Sequence, residues 1–245
     1  MNDTIVKNAL SYSLGADLHK EWCNQELYAF FLRAQQEYGK SQNFRMAFEA
    51  ACYKGTEKRN EVELDVGFLV GHEVLASQCL TDFNVFMKLY EMGAIEVKRF
   101  TKRNLTEDEV GRIGNDYKDG KENILRSFSS LSSASQSDNL EAARVAIDLT
   151  YDKAISGQGF TLDEVEQMAA VIHDEWLKRN DWVFHPEYGD PKLAVPYEQL
   201  SKEEQDKDKA QLGPAYAKIQ AYVNGLINVE ELCAQYNLPT SSKSL

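Results

Sequence analysis

Apolar residues recur along most of the chain at helical rather than strand spacing. The clearest stripe is Val165, Met168, Ala169, Ile172 and Trp176, which follows the i, i+3, i+4 rule for a helix with one buried face. Residues 16–37 carry Leu18, Trp22 and a cluster of Leu27, Tyr28, Phe30 and Phe31, apolar enough for burial on more than one side. The run EVELDVGFLVGHEVLASQCL at 61–80 alternates at its start. Its length favours a helix, with Gly67 and Gly71 permitting close packing. No series of strands and no hairpin signal stands out. The pattern predicts a mainly α, multi-helix protein.

Start and stop signals agree. A Ser, Thr, Asp or Asn followed three residues later by Glu satisfies two free backbone N–H groups at a helix start. That spacing occurs at Thr106/Glu109, Asp138/Glu141, Thr161/Glu164, Ser201/Glu204 and Asn228/Glu231, and Thr81 reads as a further cap. Gly93, Gly157 and Gly225 read as helix stops. The serine-rich stretch SFSSLSSASQSD at 127–138 reads as a break, because serine competes with the helix for backbone hydrogen bonds. It divides the chain into an N-terminal helical region, 1–130, and a C-terminal one, 138–238. The tail PTSSKSL is expected to be disordered.

Composition narrows the function classes. The 245 residues hold enough apolar material for a core without a metal or disulfide staple. A net charge of −12 repels a phosphate backbone, so no nucleic-acid partner is expected. The basic run KRFTKR at 98–103 reads as a solvated connector. Cys23, Cys52, Cys79 and Cys233 are far apart, with no CxxC and no His at ligand spacing, so neither a disulfide nor a metal site is expected. The N-terminus lacks a signal pattern, and no apolar run approaches the roughly 20 residues that span a bilayer. These features predict a cytoplasmic chain with no membrane partner, in the host cytoplasm or virion if a phage encodes it.

Local catalytic motifs fail on inspection. GNDYKDGKEN at 114–123 has one residue too many for a phosphate loop, and Glu122 stands where a Ser or Thr would hold magnesium. HEVLA at 72–76 has Ala76 where a zinc-protease helix needs its second His. DKDKAQLG at 206–213 has Gln211 in place of the glycine of a calcium loop. No catalytic residue, metal or cofactor is assigned from the sequence.

One stretch breaks the helical period. After the stripe ending at Trp176, IHDEWLKRNDWVFHPEYGDPKLAVPYEQL (172–200) contains Pro186, Pro191 and Pro196, each of which removes a donor and biases its predecessor away from helix. Within it EYGDP reads as a turn. A long ordered proline and aromatic loop between two helices is the expected result. The order IH-x-x-W … W … P-x-L-x-V-P-Y-x-x-L-S-x-x-E-x-x-x-D resembles the RyR domain, the repeat named for the ryanodine receptor and found in stand-alone bacterial and phage proteins. Ile172, His173, Trp176, Trp182, Pro191, Leu193, Val195, Pro196, Tyr197, Leu200, Ser201, Glu204 and Asp208 carry it, over residues 162–224. Asp181 and Phe184 stand near the positions where the family places glycines around Trp182. The resemblance implies paired helices joined by a long loop, and nucleotide binding or protein contacts without catalysis.

Three readings follow. In the first, Trp176, Trp182, Pro196 and Tyr197 surround a flat slot, with His173, Lys192 and Glu198 as polar contacts for a small ligand such as a nucleotide. Lys178, Arg179 and Lys192 are the cations at hand for a phosphate. The bland alternative is that Trp176 and His173 are simply core and Pro196–Tyr197 locks the loop onto the helix. In the second reading the loop docks a protein partner or another copy, as in a phage particle or other assembly. The third is an enzyme using dispersed groups such as His72, Glu73 and His173. LHKEW at 18–22 echoes IHDEW at 172–176, but no VPYEQLS follows the first, so a full second repeat is not supported at this level.

Overall fold

The computed structural model describes residues 2–48, 79–91, 93, 95–101, 117–118, 120–187 and 189–240. Its helices are α1 Asp3–Lys40, α2 Phe83–Glu91, α3 Ser133–Ile155, α4 Leu162–Arg179, α5 Lys202–Lys209, α6 Leu212–Val223 and α7 Val229–Gln235, and residues 42–48 are helical as well. The mainly α expectation is met. A small antiparallel hairpin, β1 Tyr117–Lys118 and β2 Lys121–Glu122, pairs Tyr117 with Glu122 and turns at Gly120, whose φ of 80° suits glycine. The run at 61–78, the signals at Thr106/Glu109, and His72 and Glu73 lie outside the described residues.

The chain divides into two compact units, Met1–Glu21 with Phe100–Leu245, and Trp22–Arg99. The serine-rich stretch lies within the first unit. It makes a 3-10 turn, Phe128–Ser130, and the start of α3, where Ser132 accepts the N–H of Ser135 as the cap. Serine here terminates one turn and begins a helix, so the stretch is built structure. Asp138 lies inside α3, whose cap is Ser132. Asp82, not Thr81, accepts the N–H of Asn84 at the beginning of α2.

In the first unit the start of α1 packs with α3, α6 and α7. Val6, Ala9, Leu10, Leu14, Ala143, Ala146, Ile147, Ala154, Ala215 and Ile219 form its centre. The alanines let helix backbones approach closely, and Leu and Ile fill the remaining space. A second cluster, Met168, Ile172 and Leu212 with Val145, Leu149 and Val165, seats α4 against α3 and the start of α6. The predicted stripe is therefore a core face, with Trp176 at its half-buried end. Thr161 and Glu164 form a full capping box at the start of α4. Glu164 also accepts from Lys153, and these bonds hold its carboxyl at about 2. Gly157 and Gly225 adopt φ of 69° and 70° just past α3 and α6, so both stops are observed.

The second unit is built on aromatic packing. Phe31 and Phe86 lie 5.6 Å apart edge to face, with Tyr28, Phe30 and Phe83 around them. Leu27, Ala34, Cys79, Leu80 and Leu89 are buried with them. Gly93 ends α2 at φ 69°, as expected.

Candidate functional site

The passage from Asn180 to Leu200 is an ordered loop clamped onto α4. Its turns close in series. Val183 N–H donates to Asn180, His185 to Trp182, Gly189 to His185, Asp190 to Val183, Leu193 to Asp190, and Gln199 to Pro196. The prolines supply fixed φ between these bonds. Asp181–Phe184 forms a 3-10 turn with no residue at positive φ, so neither Asp181 nor Phe184 stands where the backbone requires glycine. Gly189 does have a steric requirement. A Cβ there would overlap the carbonyls of Val183 and His185 and sit 2.8 Å from the His185 nitrogen. Leu193, Val195, Tyr197 and Leu200 pack on Ala169 and Ala170, which attaches the loop's end to α4.

His173 fastens that attachment. It is 3% exposed, its Nε2 lies 2.8 Å from the Val195 carbonyl, and its Nδ1 lies 3.5 Å from Oδ2 of Asp208 on α5. A carbonyl only accepts, so Nε2 carries a proton and donates. At 3.5 Å the Asp208 oxygen is at the outer limit of hydrogen bonding, and it has no hydrogen-bond partner. Burial pushes the Asp208 carboxyl up to about 6, against the opposing pull of His173 and Lys207.

The aromatic residues share this histidine. Its ring stacks at 6.0 Å from Trp176 and lies 6.5 Å from Tyr197, so Trp176 and Tyr197 have a common neighbour. Trp182 meets Trp176 edge to face at 6.1 Å, and its indole N–H donates to Asn180 Oδ1 at 2.9 Å. Tyr197 is buried. Its hydroxyl donates to Glu166 at 2.7 Å, and burial followed by that carboxylate raises its pKa. Lys209 also binds Glu166, and Lys209 first and Tyr197 second hold the Glu166 carboxyl below its ordinary value.

The seven sequence-selected residues therefore separate. His173 and Tyr197 are buried and engaged with protein groups, Trp176 and Trp182 are half-buried, and Lys192, Pro196 and Glu198 are exposed. Among the cations, Lys178 is held by Glu175, while Arg179, its pKa lowered by burial, sits in the field of Asp138, Glu141 and Glu175. Sequence reasoning missed Glu166, Asn180, Lys209 and Gly189 as parts of the clamp. Glu166 and Lys209 lie on polar helix positions with no local signal of their roles. The G in EYGDP is legible as a turn, but its close approach to backbone is not. Among the described residues no group of three His, Cys, Asp or Glu is placed to hold a metal ion, and no helix is long and apolar enough to cross a membrane. No protein-family model, curated protein or solved structure matches the chain.

Proposed function

We propose that the region 162–224 is an RyR-type binding module without catalytic chemistry, and that it receives a flat small ligand, with nucleotides the first class to test, against Trp176 and Trp182. One observation carries this reading. The two indoles meet edge to face on a clamped loop, and both remain half-buried where their neighbours His173 and Tyr197 are buried. Rigid aromatic surface on a pre-ordered scaffold binds planar groups at low entropic cost. His173 and Tyr197 then act behind the surface, holding the loop rather than touching the ligand. Lys192, exposed on the loop, is the cation best placed to meet a phosphate, since Lys178 is engaged by Glu175 and Arg179 faces acidic neighbours. A base role for His173 has no support in a ring that is 3% exposed and bonded to Val195.

The test is thermal unfolding of the full chain against a panel of nucleotides. A binder present at 100 times its Kd stabilises by about 2.7 kcal/mol. That raises Tm by several degrees in a chain of this size. Trp182→Ala should abolish the shift. A panel that leaves Tm and tryptophan fluorescence unmoved overturns the reading.

A further inference from the structure

The faint echo between LHKEW and IHDEW extends through the structure. His19 on α1 is 4% exposed and His173 on α4 is 3% exposed. Each places Nε2 2.8 Å from a backbone carbonyl, Arg126 for His19 and Val195 for His173. Counting forward from those carbonyls, the two segments run in step. Two residues on, a 3-10 turn begins, Phe128–Ser130 in one and Tyr197–Gln199 in the other. The ring that opens each turn lies against its histidine, Phe128 at 6.3 Å and Tyr197 at 6.5 Å. A buried leucine follows, Leu131 and Leu200. Next comes a serine cap, Ser132 and Ser201, accepting the N–H three residues later. A glutamine follows at the same position in both, Gln136 and Gln205. Each donates back to a carbonyl of its own segment, Leu131 in the first and Tyr197, the counterpart of Phe128, in the second, so the position is shared and the acceptor is not.

The register brings Asn139 to the position of Asp208. Both act on their histidine: Asn139 hydrogen-bonds the His19 ring, and Asp208 stands 3.5 Å from Nδ1 of His173. Coincidence in one feature is ordinary. Shared offsets for carbonyl, turn, leucine, cap, glutamine and ring partner are not expected of unrelated helix pairs. The histidine and its carbonyl are 107 residues apart in the first case and 22 in the second, so the unit Trp22–Arg99 occupies the place of the proline loop along the chain.

We infer that residues 3–21 and 123–155 form a diverged copy of the unit at 162–223, and that Asp208 gives the second copy a proton-dependent latch where Asn139 gives the first a proton-indifferent one. The chemistry is a count of protons. The Val195 carbonyl requires a proton on Nε2. When Asp208 is protonated, its O–H can donate to Nδ1, and when His173 is charged, Nδ1 donates to the carboxylate. Either arrangement keeps both sides of the ring satisfied with one shared proton. Once that proton is lost, a bare Nδ1 faces a carboxylate, or the remaining proton moves to Nδ1 and the bond to Val195 is lost.

The groups that act on Asp208 are His173 from α4, Glu204 and Lys207 from its own helix, and Tyr197 from the loop, whose raised pKa keeps it neutral. Around His19 they are Glu122 from the hairpin and the neutral Asn139, and burial holds the His19 pKa below its ordinary value. Asp208 moves from 3.8 to about 6, so the folded latch binds its proton more tightly than the unfolded chain does. Stability from it is complete below about 4 and is lost as pH rises through about 6. This inference stands apart from the ligand reading.

Hydrogen exchange of the full chain between pH 4 and 8, normalised for intrinsic rates, tests it. Protection at 193–201 should fall with rising pH relative to 126–132, by up to about 100-fold, because proton affinity changes tenfold for each step of one in pKa. Asp208→Asn mimics the protonated acid and should flatten the difference. Parallel behaviour of the two segments in the native chain, or an unaltered profile in Asp208→Asn, overturns the latch. If that variant fails to fold, carboxyl NMR of the native protein decides. The Asp208 carboxyl should titrate at about 6 in step with the loss of protection at 193–201, and an Asp208 carboxyl that titrates in the ordinary carboxylate range overturns the proposal.

Discussion

The segments 126–139 and 195–208 share a 3-10 turn, a buried leucine and a serine cap at equal spacing, and they are held by different means. The second is held by its own neighbourhood. Turn closes on turn from Asn180 to Gln199, prolines fix the intervening backbone, and Gly189 admits a close pass between chain segments. The first is held from a distance in sequence. Glu122, fully buried at the end of the hairpin, places one carboxylate oxygen 2.6 Å from the Ser132 N–H and the other 2.6 Å from the hydroxyls of Ser132 and Ser135. Its negative charge also lies at the N-terminus of α3, where the helix dipole favours it. The corresponding helix α5 has Glu204 in its own first turn. A carboxylate near the helix start is thus common to both segments, supplied by the helix in one and by the hairpin in the other.

That difference is open to disruption on each side. The largest effect is expected from Glu122→Ala. It removes three short charge-assisted bonds and leaves buried donors without partners, at a cost of about 4 kcal/mol in urea unfolding. Loss of protection should concentrate at 123–135 and spare 193–201. A cost under about 1 kcal/mol would show that the carboxylate does not hold the segment. Gly189→Ala should come next, at about 3 kcal/mol, because the added methyl meets backbone on both sides with no flexible side chain to give way. Its damage should fall on the second segment, with the Trp176–Trp182 arrangement and any ligand-induced rise in Tm lost. A Gly189→Ala protein of native stability would mean the loop does not run as described.

These expectations also show what the sequence can and cannot reveal. The stripe through Ile172, the capping box at Thr161 and the stops at Gly93, Gly157 and Gly225 are readable because each depends on residues within one or two turns. The clamp is readable in outline, since three prolines and a P-Y-x-x-L-S run declare a fixed connector. The first segment is not, for two physical reasons. Its histidine and carbonyl are 107 residues apart, beyond any local pattern. Its serines fit a helix start as well as a linker, and only the buried Glu122 decides between them. Along the chain Glu122 reads only as a failed magnesium position, where its charge is visible and its partners are not.

The smallest effect sharpens the comparison most directly. Tyr197 and Phe128 occupy matching places at the head of the two turns, both buried and both beside a histidine. Tyr197→Phe therefore installs in the second segment the residue that the first already uses. The ring's packing on Ala169 and Leu200 is kept, and only the hydroxyl bond to Glu166 is lost. Glu166 is half exposed and retains Lys209, so water replaces the missing donor at little penalty. The expected loss is about 1 kcal/mol. The Glu166 carboxyl should move part of the way back toward its ordinary pKa, because its larger influence, Lys209, remains. Urea unfolding of Tyr197→Phe measures the first, and carboxyl NMR the second. A loss beyond about 3 kcal/mol, or release of 193–201 in hydrogen exchange, would show that the second turn depends on its hydroxyl. The first turn manages without one, so the two would then not be versions of the same device.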